Sequence, residues 1–100
     1  VRMQLTISDK AQKWYIEELE LSQGDGVRFF GKYGGSTNVH DGFTTGMQII
    51  KPSEEVLANV EHQGITFFTE KLDEWFFNGF DLSVEFDDDL KEPRYIYKEQ

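Results

Sequence analysis

Val27–Gly46, VRFFGKYGGSTNVHDGFTTG, is the stretch whose reading decides the fold. It opens as a strand, with Val27, Phe29 and Gly31 on one side and Arg28, Phe30 and Lys32 on the other, because successive side chains alternate across a strand. The strand breaks at Gly34-Gly35-Ser36-Thr37-Asn38, where no side chain is large enough to fix the backbone. After His40-Asp41-Gly42 the chain turns apolar and β-branched again through Phe43, Thr44 and Thr45. A strand, a glycine-opened loop and a returning strand allow backbone to approach a ligand or a partner closely. The same pattern also describes an ordinary turn, so Gly34, Gly35, Ser36 and Thr37 enter as a candidate site with a plain alternative beside it.

Working outward toward the N-terminus, Met3, Leu5 and Ile7 alternate with Gln4 and Thr6, which reads as a short strand. A helix is expected over Asp9–Leu21, with Asp9 as N-cap and Gln12 reaching back to complete a capping box. Ala11, Trp14 or Tyr15, and Leu19 follow helical spacing and leave Lys10, Lys13, Glu17 and Glu20 outward. Gly24 is the expected left-handed terminator.

Toward the C-terminus, Met47 and Ile49 continue the returning strand as far as Lys51-Pro52-Ser53. Ser53-Glu54-Glu55-Val56-Leu57 reads as a capped helix start, yet Val56, Ala58, Val60 and His62 also alternate as a strand does. Ile65–Thr69 is a strand after the Gln63-Gly64 turn, and residues 70–77 suffice for one or two helical turns before Asn78-Gly79. Phe80, Leu82, Val84 and Phe86 make the cleanest period-two run in the chain. Asp87-Asp88-Asp89 closes it, and Pro93 precedes an expected edge strand through Tyr95, Ile96 and Tyr97. One secure helix, one short helix and many strands are best accommodated by two packed layers of mixed or largely antiparallel sheet.

The 100 residues make one domain, 1–100, of common size. A chain of this length buries roughly two thirds of its unfolded surface. Nine Phe, four Tyr and two Trp supply bulk for its core. Nineteen acidic against ten basic side chains give a net charge of −9, the wrong sign for binding nucleic acid or an anionic membrane. No signal peptide or spanning run is evident, which leaves a cytoplasmic location as the default expectation. There is no cysteine, so this chain forms no disulfide, zinc-thiolate site or thiolate-held iron–sulfur cluster of its own.

The order of these pieces resembles the HesB-like family, which includes the A-type carriers of iron–sulfur cluster assembly (IscA-like proteins). The resemblance rests on LTISDKAQKWY ending at a glycine turn, on Gly26-Val27-Arg28-Phe29-Phe30 running to Tyr33-Gly34-Gly35-Ser36, and on Gly64-Ile65-Thr66-Phe67-Phe68 with Leu72 and Gly79-Phe80-Asp81-Leu82. It implies a mainly β fold with minor α: a β-sandwich or pseudobarrel of mixed sheets, with one N-terminal helix and one short helix. It also implies that Glu55–Phe68 is a hairpin rather than a helix and a strand. Ser36 stands at the family's first cysteine position, and the C-terminal Cys-Gly-Cys would fall near Pro93-Arg94-Tyr95. A serine hydroxyl is a poor ligand for soft iron–sulfur units. The resemblance thus implies a cysteine-free branch associated with iron–sulfur cluster biogenesis that cannot hold a cluster by its own thiolates.

The resulting expectation is a non-enzymatic interaction scaffold or weak metal binder, with a protein partner or a homodimer, no nucleic acid and no membrane. The alternative is an iron(II) or other divalent-metal protein using His40, Asp41, Asp87 and Asp88, since imidazole and carboxylate suit such ions. No recognised ligand spacing accompanies these residues. Their plain reading is a surface histidine and a solvated acidic turn. Ser36 lacks the setting of an activated nucleophile, and Gly34-Gly35 lacks the lysine and helix start of a phosphate loop. Trp75-Phe76-Phe77 and Phe67-Phe68 exceed what one face buries, so these rings either line an interface or fill the core from both sides. Tyr95 and Tyr97, on an edge strand, offer a template to another chain.

Overall fold

The computed structural model describes residues 3–36 and 41–100. Its elements run β1 (Leu5–Ile7), α1 (Asp9–Glu18), β2 (Gly26–Ser36), β3 (Asp41–Ile49), β4 (Val56–His62), β5 (Ile65–Glu70), a 3-10 turn (Lys71–Asp73), α2 (Glu74–Phe77), β6 (Phe80–Asp87) and β7 (Glu92–Glu99). They form two mixed sheets, one ordered β1-β6-β7 and the other β3-β2-β5-β4. The parallel pairs are β1 with β6 and β2 with β5; the other neighbours are antiparallel. This is the mainly β architecture expected, with one N-terminal and one short helix.

The core lies where the apolar faces of these strands meet. Val27 and Phe29 of β2, Phe67 of β5 and Leu82 and Val84 of β6 are all buried, and Tyr15 of α1 joins them. The rings interlock: Tyr15 meets Phe29 edge-on at 5.7 Å, and Phe29 lies nearly parallel to Phe67 at 6.5 Å. The Tyr15 and Tyr95 hydroxyls are 2.6 Å apart, so the two polar tips that the core swallows satisfy one another. Burial pushes both phenols above the usual tyrosine value.

The helix ends differ from the sequence expectation in an instructive way. The N-cap is Ser8, whose hydroxyl accepts the Ala11 N–H at 3.1 Å. Ser8 is already fixed by the sheet, because its N–H donates to the Val84 carbonyl at 2.9 Å, so the helix begins one residue earlier than an Asp9 cap allows. Gln12 does not reach back to the cap; it is buried and donates to the Ile7 carbonyl at 2.9 Å. At the other end α1 stops at Glu18 rather than Leu21, with Leu19 as C-cap. The left-handed residue that ends the helix is Glu20 (φ 50°); Gly24 also has a positive φ (96°) but lies beyond the helix end. Leu21 N–H bonds to Ile16 O at 3.0 Å and Glu20 N–H to Glu17 O at 3.4 Å, the paired bonds of a Schellman ending. Gly24 serves the next turn, donating to Gly64 O at 2.8 Å.

Residues 55–68 form the hairpin that the resemblance implies. Gln63 and Gly64 both have positive φ (52° and 79°), as a two-residue type I′ connection requires. The helix-start signal at Ser53 is spent on a local turn: its hydroxyl accepts the Glu55 N–H at 3.1 Å and donates to the Glu70 carboxylate. Ser53 therefore caps no helix, and β4 follows.

Candidate partner-binding face

β2 carries Val27, Phe29, Gly31 and Tyr33 on one side, yet their surroundings differ completely. Val27 and Phe29 are fully buried, whereas Tyr33 is 84% exposed. β2 pairs with β5 only over Gly26–Arg28 and with β3 alone beyond it. Its core-facing side therefore emerges beyond the core and becomes surface.

That emerging segment is held by packing and by charge. Gly31 sits against Phe76 of α2 so closely that an added Cβ would lie 2.6 Å from the ring. The glycine thus lets α2 dock on the hairpin. From there the rings run outward in edge-to-face steps: Phe76 to Trp75 at 5.9 Å, Trp75 to Phe43 at 5.2 Å, and Phe43 to Tyr33 at 5.7 Å. Phe76 is fully buried, Trp75 is half exposed, and Leu72, three residues before Trp75 and on the same side of the helical turn, is largely exposed. The result is an apolar stripe that begins in the core and ends in solvent.

Arg28 ties the same two elements together. Its Nε donates to Asp73 Oδ2 at 3.0 Å, and its Nη2 pairs with Oδ1. Asp73 also accepts the Glu70 N–H at 2.9 Å, while Arg28 Nη1 donates to Gln48 at 3.3 Å. The Asp73 carboxylate, hydrogen-bonded to Arg28, pushes the guanidinium's pKa upward. A bidentate pair with Asp73 nearly inaccessible to water sets the angle between β2 and the 3-10 turn, and so aims Trp75 at Phe43.

The glycine loop begins where this stripe ends. Gly34 and Gly35 both have positive φ (113° and 68°) and together stand opposite Gly42, because the register shifts between Tyr33 and Ser36. Two residues facing one is a β-bulge, which bends the hairpin and raises its twist. The strand thus continues through the glycines to Ser36, where the sequence suggests a break. Thr37 and His40 lie outside the described residues; Ser36 ends β2 and pairs in register with Asp41, the first residue of β3.

The acidic turn is elsewhere in the chain and is engaged locally. Asp87 Oδ1 accepts the N–H groups of Asp89 and Leu90, each at 3.0 Å. Asp88 pairs with Lys10, which holds its carboxyl below the usual range. Among the described residues no three His, Cys, Asp or Glu side chains gather as a metal site does. His62, half-buried at the end of β4, lines a cleft of about 360 Å³ with Asp9, Lys13, Ile16 and Glu17.

Sequence reasoning placed an interface option on Trp75–Phe77 and on Tyr95–Tyr97. Only Trp75 is exposed: Phe76 and Phe77 are core, and the hydroxyls of Tyr95 and Tyr97 are bonded to Tyr15 and Thr45. Tyr33, Phe43, Arg28 and Asp73 went unread as site residues. The one sequence signal for them is Gly31, a residue without a side chain in the middle of an apolar strand face, which marks a close approach.

No protein-family model matches the chain. The pyruvate dehydrogenase inhibitor of Bacillus subtilis is 45% identical over 96 residues, covering 96% of this chain and all of that protein. An uncharacterised protein of Staphylococcus saprophyticus is 31% identical over 98 residues, and one of Staphylococcus aureus 30% over 99 residues, each matched over its whole length. Among solved structures, IscA with a 2Fe–2S cluster superposes with a TM-score of 0.56 at 16% identity, over 95% of this chain and 81% of that one. That likeness shows the HesB-like fold, here in a chain with no cysteine. No helix among the described residues is long and apolar enough to cross a membrane. The chain belongs to the family of the Bacillus subtilis pyruvate dehydrogenase inhibitor, built on the IscA-like fold without the thiols that hold a cluster.

Proposed function

We propose that this chain is a non-enzymatic, cytoplasmic regulatory protein that binds and inhibits a pyruvate dehydrogenase. The observation that carries the reading is the 45% identity to an inhibitor of that enzyme, matched from end to end. Inhibition by a small protein requires a face that another protein covers. The stripe formed by Tyr33, Phe43, Trp75 and Leu72, with the Gly34–Ser36 bulge at its end, has the composition of one. Aromatic rings give large contact area at low entropy cost and are enriched where binding energy concentrates. The bulge lets partner backbone approach without side-chain obstruction. The Arg28–Asp73 pair and the Gly31–Phe76 contact hold the stripe in place before binding, which lowers the ordering cost.

The test is pyruvate-dependent NADH formation by the pyruvate dehydrogenase complex of the source organism, titrated with purified protein. Activity falling with saturable dose supports the reading. Full activity at a large excess of protein sinks it.

A further inference from the structure

The apolar stripe changes character at Leu72. That side chain, 68% exposed, also borders a cleft of about 550 Å³ between the loop at Ser53–Glu55 and the 3-10 turn after β5. Glu54, Glu55 and Glu70 line the cleft together with Ser53 and Lys71, so three carboxylates stand there against one ammonium. Both walls are tied to each other. Lys71 N–H donates to Glu55 O at 2.8 Å, and Ser53 N–H donates to Glu70 Oε1 at 3.0 Å.

Glu70 sets the charge of this cleft. Only 6% of the residue is exposed, and its carboxylate accepts the N–H and the hydroxyl of Ser53, yet among the described residues no cation pairs with it. Arg28 lies near enough to feel the Glu70 charge, but its guanidinium is committed to Asp73. A carboxylate held out of water without a counter-charge favours a cation supplied from outside. Glu54 and Glu55, both exposed, extend the same sign to the mouth of the cleft.

Resting on the reading of this chain as an inhibitor, we propose that this end of the stripe seats a basic segment of the inhibited enzyme. An arginine or lysine side chain of that segment enters the cleft among Glu54, Glu55 and Glu70, and an apolar side chain beside it covers Leu72 and Trp75. The apolar contact supplies affinity, and the opposite charges supply orientation and speed of encounter. A second copy of this chain is a poor occupant, because it brings a net charge of −9 to an acidic cleft. A bare metal ion is served no better: among the described residues no three His, Cys, Asp or Glu side chains gather closely enough to hold one.

The test titrates the pyruvate dehydrogenase complex of the source organism with the unmodified chain and with variants at exposed side chains, each of which should keep its thermal melt. Glu54→Lys with Glu55→Lys should raise the concentration needed for half inhibition about tenfold or more, and Leu72→Ser about threefold or more. Glu17→Lys with Glu18→Lys changes the net charge equally on exposed positions of α1, and should leave that concentration within about twofold. Raising salt from about 20 to about 500 mM should weaken inhibition by the unmodified chain, because salt screens opposite charges, and should weaken it much less in the Glu54 and Glu55 variant. Unchanged inhibition by that variant overturns the proposal and leaves the inhibitor reading standing. So does an equal loss from the Glu17 and Glu18 variant, or inhibition that strengthens with salt. No inhibition by the unmodified chain overturns both.

Discussion

Two chains of ring contacts run through this molecule, and they end differently. One joins Tyr15, Phe29, Phe67 and Tyr95, and is closed: its rings lie in the core and its hydroxyls bond one another. The other joins Phe76, Trp75, Phe43 and Tyr33, and is open: it leaves the core and finishes in solvent. Ring spacing is similar in both, 5.7–6.5 Å in the closed chain and 5.2–5.9 Å in the open one, so spacing does not separate a structural cluster from a binding one. What separates them is whether the strand beneath still has a second sheet above it. β2 has one at Phe29 and has outrun it at Tyr33.

The sharpest way to break this comparison is to empty the closed cluster. Phe67→Ala removes a fully buried ring and should cost about 3–5 kcal/mol in denaturant unfolding, with no preference for one function over another. Asp73→Ala leaves the Arg28 guanidinium without its bidentate partner beneath the open chain; unfolding should show a loss of about 3 kcal/mol. Gly31→Ala forces a methyl against the Phe76 ring where the open chain leaves the core. We expect about 1–3 kcal/mol of destabilisation and a shifted Trp75 fluorescence, since α2 must move.

Tyr15→Phe sharpens the closed side. It removes one hydroxyl of a mutually satisfied pair and should cost about 1 kcal/mol at neutral pH. The folded phenols of Tyr15 and Tyr95 have raised pKa values, so above the ordinary value of about 10 the unfolded chain loses protons that the folded one keeps. Stability should therefore be independent of these groups below about pH 9 and fall as pH rises through about 10. The fall should be shallower in Tyr15→Phe, as thermal melts between pH 8 and 11 would show. Trp75→Ala should have the smallest effect on folding, about 1 kcal/mol, because half of that ring already faces water. It should nevertheless raise the concentration needed to inhibit pyruvate dehydrogenase at least tenfold. Unchanged inhibition would remove the open chain from the binding face.

Much of this architecture is legible in residue order. Period-two runs such as Phe80–Phe86 mark strands because alternation is a property of the strand alone. Asn78 and Gly64 mark turns because positive φ favours those residue types. The lack of cysteine excludes a thiolate cluster whatever the fold. The helix signal at Ser53 misleads for a local reason, since the same serine hydroxyl that caps helices also closes a turn.

Tertiary structure decided the rest. Ser8 rather than Asp9 caps α1 because Val84 of β6 holds it, and Glu20 rather than Gly24 reverses the chain because the helix ends early to leave Leu21 bonded to Ile16. Arg28 and Asp73 meet across 45 positions of sequence, and Tyr15 and Tyr95 across 80. Residue order by itself specifies which face of each strand is apolar and that no thiol chemistry is available. Only the packing of one sheet on the other decides where that apolar face stops being core, because burial depends on what lies opposite and not on the strand that carries it.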